Sequence, residues 1–209
     1  LLVSLKSPRF LYPLADMDQS RSQQVANRLS LILYDSLPTS DSLLTAIAKG
    51  RFETEEDVRA FARQNLRDYR VQAKLREMLQ EWLNIGQQLE ISKQNSRFPG
   101  FESALVSDLR QSLNAFLDAV VWSETSDFRR LFQADFAFTS PRIAEFYGGP
   151  WQVEADDAAQ KFQRINYSEG NYGVLTHPYL MSALAYHDST SPIHRGVFLI
   201  RYVLGRTLR

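Results

Sequence analysis

The sequence contains no cysteine. Without a thiol there is no disulfide, no thiolate zinc site, no iron–sulfur cluster and no cysteine nucleophile, and c-type haem cannot be attached within the chain. A run of about 18 consecutive apolar residues, the length a membrane-spanning helix requires, is also missing. Glycine is scarce, 9 residues of 209. No Walker loop, dinucleotide fingerprint, serine elbow or metalloprotease helix can be found, which removes the common phosphate cradles and hydrolase signatures. Lys plus Arg is 24 and Asp plus Glu is 24, so the net charge is zero. Nucleic acid and anionic membrane surfaces are disfavoured partners, because neutralising phosphates calls for a basic excess.

What is present belongs to a folded globular chain. Hydrophobic residues are 44% and charged residues 23%, enough apolar surface to offset the entropy of ordering the backbone. Helical spacing dominates. A helix is expected from Ser20, with Val25, Leu29, Ile32 and Leu33 on one face, ended by Pro38. Asp41 is the expected N-cap of a short helix reaching Lys49, and Gly50 suits the position after it. Thr54 to Asp57 resembles a capping box with Asp in the place of Glu or Gln. Val71, Leu75, Met78, Leu79, Trp82 and Leu83 form an apolar stripe. Residues 94–101 break the pattern. Leu105, Leu109, Leu113, Phe116, Leu117 and Val120 then mark the clearest helix in the chain. Ser126 is the expected cap of a short helix holding Phe128, Leu131 and Phe132. Ser140-Pro141 and Ser191-Pro192 each place a capping hydroxyl before proline at the first helical position. The first of these helices should stop at Gly148-Gly149. The second should be largely buried, through Ile193, Val197, Phe198 and Val203, and end at Gly205. Lys161 to Tyr167 could form a short strand.

Candidate chemistry gathers in the last third. His177, His187 and His194 could supply the three ligands a catalytic zinc ion needs, with Asp188 as a possible carboxylate. No two of the histidines have the i, i+4 spacing of a preformed helical site, and each sits beside a loop signal, so capping or surface roles are the plainer reading. Thr190, Ser191, Arg195 and Gly196 flank a helix start, where free N–H groups and an arginine suit an anion or an acidic partner. Capping by Ser191 and a carboxylate partner for Arg195 is the plainer reading. Gly196 suggests close approach of another backbone. Arg59, Arg63 and Arg67, continued by Arg70 and Lys74, form a basic line that Glu55 and Glu56 could balance. Glu154, Asp156 and Asp157 cluster without the calcium-loop pattern. Trp151, Tyr167, Tyr172 and Tyr179 could line a sugar-binding surface or simply fill the core. Asn166-Tyr167-Ser168 matches a glycosylation sequon.

Several of these pieces, taken in order, resemble two adjacent families of unknown function, numbered 1592 and 1588, found in large planctomycete-type proteins. Ser7-Pro8-Arg9-Phe10-Leu11-Tyr12 looks like their lead-in. Arg28-Leu29-Ser30, Leu37-Pro38, Ala48-Lys49-Gly50 and Glu81-Trp82-Leu83 resemble the first family. So do Ala134-Asp135-Phe136-Ala137-Phe138, Ile143-Ala144 and Phe146-Tyr147-Gly148. The departures are Tyr34-Asp35 where the family favours Trp-Asn, and Glu81 where it favours Gln. Gly173-Val174-Leu175-Thr176, Thr190-Ser191-Pro192, Arg195-Gly196 and Leu204-Gly205 resemble the second family. The resemblance implies an exported protein, periplasmic or at the cell surface, with cytochrome-c-like haem motifs in neighbouring domains. It implies no catalytic residue.

The resulting expectation is an all-α or nearly all-α fold, an irregular multi-helix bundle over 1–149 with a smaller helical part over 150–209 packed on it. The start lacks Met and a basic leader, and the end follows an apolar run, so both are expected to be cuts in a longer chain. The expected role is a structural or interaction module inside a larger exported protein, in contact with neighbouring domains and a cell-surface partner or glycan. A metal-dependent or polysaccharide-acting enzymatic part centred on 173–196 and a glycan-binding module are the alternatives.

Overall fold

The computed structural model describes residues 19–86, 90–152, 161–166 and 173–207. The lead-in 7–12, the acidic group Glu154, Asp156 and Asp157, Tyr167, Tyr172 and Ser168 of the sequon lie outside them. Contacts divide the chain into two compact units, Leu1–Leu75 and Arg76–Arg209. The stretches 76–149 and 150–209 both fall in the second.

The first unit is helical. α1 (Arg21–Tyr34) starts where Ser20 accepts a hydrogen bond from the Gln23 N–H and ends at Asp35 in the left-handed region. Lys74 reaches back to donate to the Leu31 carbonyl, 2.8 Å away, and to Asp35. A cation at a helix C-terminus satisfies an orphan carbonyl and suits the local dipole. α2 (Asp41–Ala48) is preceded by Ser40, so Asp41 sits in the first turn instead of at the N-cap. There its charge still favours the positive end of the helix. α3 (Glu55–Asn65) opens with the expected capping box: Thr54 accepts from the Asp57 N–H and Asp57 accepts from the Thr54 N–H. Ala26, Leu43, Ala46 and Phe52 are the buried centre, with Phe61 set edge-to-face on Phe52 at 5.2 Å. Three members of the basic line are paired. Arg59 bonds Glu55 one turn away, Arg70 bonds Asp68 and covers the Tyr34 ring, and Lys74 bonds Asp35. The division between units falls within α4 (Tyr69–Trp82).

The second unit is organised on α5 (Ser103–Val121). Its buried face carries Leu105, Leu109, Leu113, Phe116, Leu117 and Val120, as the spacing requires, and also Asp108 and Ser112. α6 (Arg130–Gln133) follows. Ser126 does not cap it: that residue has φ 45° and donates to the Val121 carbonyl, while Arg129 stands at the cap. Phe128 is 58% exposed.

The fold is mostly helical, but all-α overstates it. β1 (Phe136–Thr139) pairs antiparallel with β2 (Gln163–Asn166), Phe136 opposite Asn166 and Thr139 opposite Gln163. β2 lies within the expected strand. β1 shows no alternation to read, because Phe136, Ala137 and Thr139 are all buried. α7 (Pro141–Tyr147) is capped by Ser140 and leads into a 3₁₀ turn, Gly149–Trp151. A second 3₁₀ turn, Val174–Thr176, precedes α8 (Pro178–Ala183) and α9 (Pro192–Phe198). α9 widens into a π-helical segment, Leu199–Val203. Only Phe198 of α9 is buried and Ile193 is 71% exposed, so the expected burial of this helix does not hold. The Trp82 indole N–H donates to the Tyr202 carbonyl at 2.7 Å.

Two glycines separate backbone need from convenience. A Cβ on Gly173 would lie 2.4 Å from the Leu131 carbonyl oxygen, and its φ is +63°. Gly196 has nothing within 4 Å of a Cβ, so no backbone approaches it. Gly173→Ala should therefore cost at least about 2 kcal/mol in denaturant unfolding, whereas Gly196→Ala should gain about 0.5–1 kcal/mol. Equal effects would show that the close approach at Gly173 is misassigned. Phe52→Ala should cost about 3–5 kcal/mol and strip amide-exchange protection from α1–α3. Retained protection there would show that Phe52 is not central to the first core.

Candidate functional site

Two polar residues interrupt the apolar face of α5, one turn apart. Asp108 accepts from the Ser140 hydroxyl and from Arg142 Nη1, both at 2.8 Å. Ser112 donates to the Phe138 carbonyl and bonds His177 Nε2 at 3.2 Å. His177 Nδ1 accepts from the Tyr179 N–H at 3.3 Å, which caps α8. One ring therefore uses both nitrogens: Nδ1 as acceptor, Nε2–H as donor to Ser112. The ring is 2% exposed, beside Phe116 and Trp151. Burial holds its pKa down at about 3, so it stays neutral.

That anchored α8 forms one wall of a cleft of about 430 Å³ in the second unit. Pro178, Met181 and Ser182 come from α8. Phe146 and Tyr147 close α7, and Trp151 follows in the 3₁₀ turn. Phe98 and Phe101 come from the loop before α5, and Tyr186, Thr190 and Arg195 from the turn before α9 and its second helical turn. The rings form a continuous ladder. Phe101 meets Phe146 at 5.7 Å, Phe146 meets Tyr147 at 4.9 Å, and Tyr147 meets Trp151 at 5.7 Å. Burial pushes the Tyr147 hydroxyl pKa up, against a smaller opposing hydrogen bond with Ser182.

The opposite edge is stitched by backbone. Lys93 Nζ donates to the carbonyls of Ser182, Ala185 and Tyr186 at 2.7–3.0 Å. The Gln94 N–H donates to the His187 carbonyl and Arg97 to the Asp188 carbonyl, each at 2.9 Å. Partial burial lowers the Lys93 pKa. Its three donors are spent on the C-terminal end of α8 and the turn beyond.

The cleft carries two cations, Lys93 and Arg195, and no carboxylate among its lining residues. Neither cation makes an ion pair among the described residues. The Nε–H of Arg195 is buried and has no hydrogen-bond partner there. Two cations without a carboxylate beside them in an aromatic cleft suit an anion. A wider depression in the first unit, about 510 Å³, mixes Asp41, Asp57 and Arg51. Asp57 is committed to the Thr54 cap there.

The sequence candidates are divided by this geometry. Thr190 and Arg195 line the cleft. Ser191 is buried and caps α9 by accepting from the His194 N–H. Gly196 lies beside Arg195 in the same helix with open space at its Cα. His177 supports the cleft from the core, whereas His187 is held at the surface by Ser92 and His194 lies against the Tyr186 ring. Among the described residues no three His, Cys, Asp or Glu side chains group as a metal site. Trp151 is in the wall. Tyr179 is fully buried, with its hydroxyl accepting from Arg110. The sequence reading missed Lys93, Phe98, Phe101, Phe146, Tyr147 and Tyr186. Phe98 and Phe101 stood in a stretch read only as a break, and Phe146-Tyr147 only as a helix end and a family motif.

The model of a family described as PSD4, protein of unknown function (DUF1592), matches residues 21–148. The chain belongs to this family. The DUF1592 match takes in Phe98, Phe101, Phe146 and Tyr147 of the cleft, and Gly173 to Gly205 lie beyond it. No curated protein and no solved structure matches the chain. No helix among the described residues of this DUF1592 chain is long and apolar enough to cross a membrane.

His177 makes stability depend on pH. Unfolded, the ring takes a proton near pH 6.5; folded, it resists until about pH 3. Its contribution is complete above pH 6.5 and falls by about 1.4 kcal/mol per pH unit as pH drops toward 3. His177→Gln should be less stable than the parent at pH 7, with a gap that narrows between pH 6.5 and 4.5 in urea titrations. A gap that stays constant would show that the ring is not held neutral.

Proposed function

We propose that this chain is a non-catalytic binding module whose second unit takes an organic anion with an apolar body into the aromatic cleft. The observation that carries the reading is an aromatic cleft whose lining holds two cations, Lys93 and Arg195, and no carboxylate. A ligand anion would balance these two charges, and ring faces would cover its body.

We further propose that the module works inside a larger exported protein with c-type haem in neighbouring domains, and that 173–205 corresponds to the second family. The ordered resemblance of Gly173 to Thr176, Thr190 to Pro192 and Leu204-Gly205 supports this. The chain has no cysteine for a thioether link, so c-type haem in such a protein would be carried by its other domains. A reading frame without a secretion signal or Cys-x-x-Cys-His motifs around this segment would overturn that context.

Anilinonaphthalene sulfonate, an aromatic anion that fluoresces when shielded from water, tests the cleft. It should bind the native chain saturably at one site and weaken with added salt. Arg195→Gln should reduce its affinity about tenfold, the scale of one charge-assisted hydrogen bond, with unchanged circular dichroism. Non-saturable binding, or indifference to the substitution, would overturn the reading.

A further inference from the structure

Beside the two cations of the cleft stands a side chain able to add a third charge. Tyr186 lines the cleft and is still 46% exposed, so it belongs both to the cavity wall and to the surface. Its ring meets the His194 ring at 4.9 Å, with the planes 58° apart. His194 is exposed and directly precedes Arg195 in α9. Among the described residues its backbone N–H meets the Ser191 cap, and its imidazole makes no hydrogen bond and no ion pair.

The three histidines differ in what a proton would do to them. His177 is buried with both nitrogens bonded, and it stays neutral. His187 has its Nδ1 against the Ser92 carbonyl and is not in the cleft lining. His194 can take a proton without losing a hydrogen bond, and the cation so formed lies beside an aromatic ring, a favourable neighbour. Imidazole is the side chain whose charge ordinarily changes between pH 5 and 8. The other charged and titratable groups around the Tyr186–His194 pair are His187 and Asp188 on the turn, Arg195 on α9, and Lys93 and Arg97 on the segment bonded to that turn. Asp188 accepts from the Ser189 hydroxyl and is not in the lining. No carboxylate of the lining therefore loses its charge as the histidine gains one.

Resting on the binding reading above, we infer that anion binding in the cleft is coupled to protonation of His194. The protonated ring adds a third positive charge to those of Lys93 and Arg195, behind the Tyr186 wall. Its field strengthens the hold on an anion. By reciprocity, a bound anion strengthens the hold of the ring on its proton. The sign follows from the charge of the acid form. Occupancy rises as pH falls through the histidine range and drops as pH rises through it. Mildly acidic surroundings load the cleft, and alkaline ones release its contents. His194 acts through its charge, without touching the ligand.

The test is titration of the whole chain with anilinonaphthalene sulfonate, whose sulfonate keeps its charge over this range, at about pH 8 and about pH 5.5 and one ionic strength. Near-ultraviolet circular dichroism should be the same at both. The parent should bind about threefold more tightly at the lower pH, the scale of one further unit charge several ångströms away near the surface. His194→Gln should bind equally at both, while His187→Gln should keep the parent's dependence. Calorimetry near pH 6.5 in two buffers of different ionisation heat supplies a second readout: the parent should take up a fraction of a proton per anion bound. If His194→Gln does not fold, that uptake decides, measured in the parent and in His187→Gln. A parent indifferent to pH, a dependence that survives in His194→Gln or vanishes in His187→Gln, or binding without proton uptake overturns the inference. In each of those cases the probe still binds, so the binding reading stands. Failure of the probe to bind at either pH overturns both.

Discussion

The second unit depends on one buried chain of polar groups. The Tyr179 N–H gives to His177, His177 gives to Ser112, and Ser112 gives to the Phe138 carbonyl. It joins α8, α5 and β1, with Phe116 and Trp151 beside the ring. Such a chain has direction as well as strength. Each member donates one way and accepts the other, so the ring cannot flip or gain a proton without leaving a group unpaired. Apolar packing alone would tolerate a sliding α8. The hydrogen-bonded ring fixes its start, and with it the wall that carries Met181 and Ser182.

The cleft is the consequence of elements held from different directions. α8 is pinned at its first residue by His177 and at its last turn by Lys93. The loop carrying Phe98 and Phe101 is tied by backbone bonds to the turn carrying Tyr186. Arg195 enters from α9, itself capped by a buried serine. A preorganised cleft of this kind loses little freedom when occupied.

Local chemistry was legible in the sequence where one residue and its immediate neighbours decide the outcome. Ser20, Thr54, Ser140 and Ser191 all cap as their positions suggest, because a short hydroxyl and the first turn form a complete device. The six apolar positions of α5 are buried as spaced. Long-range partners were not legible. Asp108 and Ser112 carry no local signal of their role, yet each is an anchor whose partner is 26 to 65 residues away. β1 was hidden because three of its four residues are buried, which erases alternation. Within the cleft, Thr190 and Arg195 stood out through the helix start beside them. The aromatic wall did not, since Phe98, Phe146 and Tyr186 come from three segments with no common period.

Trp82 shows what a single nitrogen atom can decide. The π-helical segment after α9 ends with carbonyls that no later turn can accept into its ladder, and Tyr202 carries one of them. Trp82 covers this end with an apolar indole, set edge-on to Phe132, and aims its N–H at the stranded oxygen. Phenylalanine would supply the bulk without the donor. Histidine would supply a donor with too little surface. The tryptophan in the Glu81-Trp82-Leu83 run is thus a terminator for a helix 120 residues further along the chain, and the identity of that side chain follows from where a different helix stops.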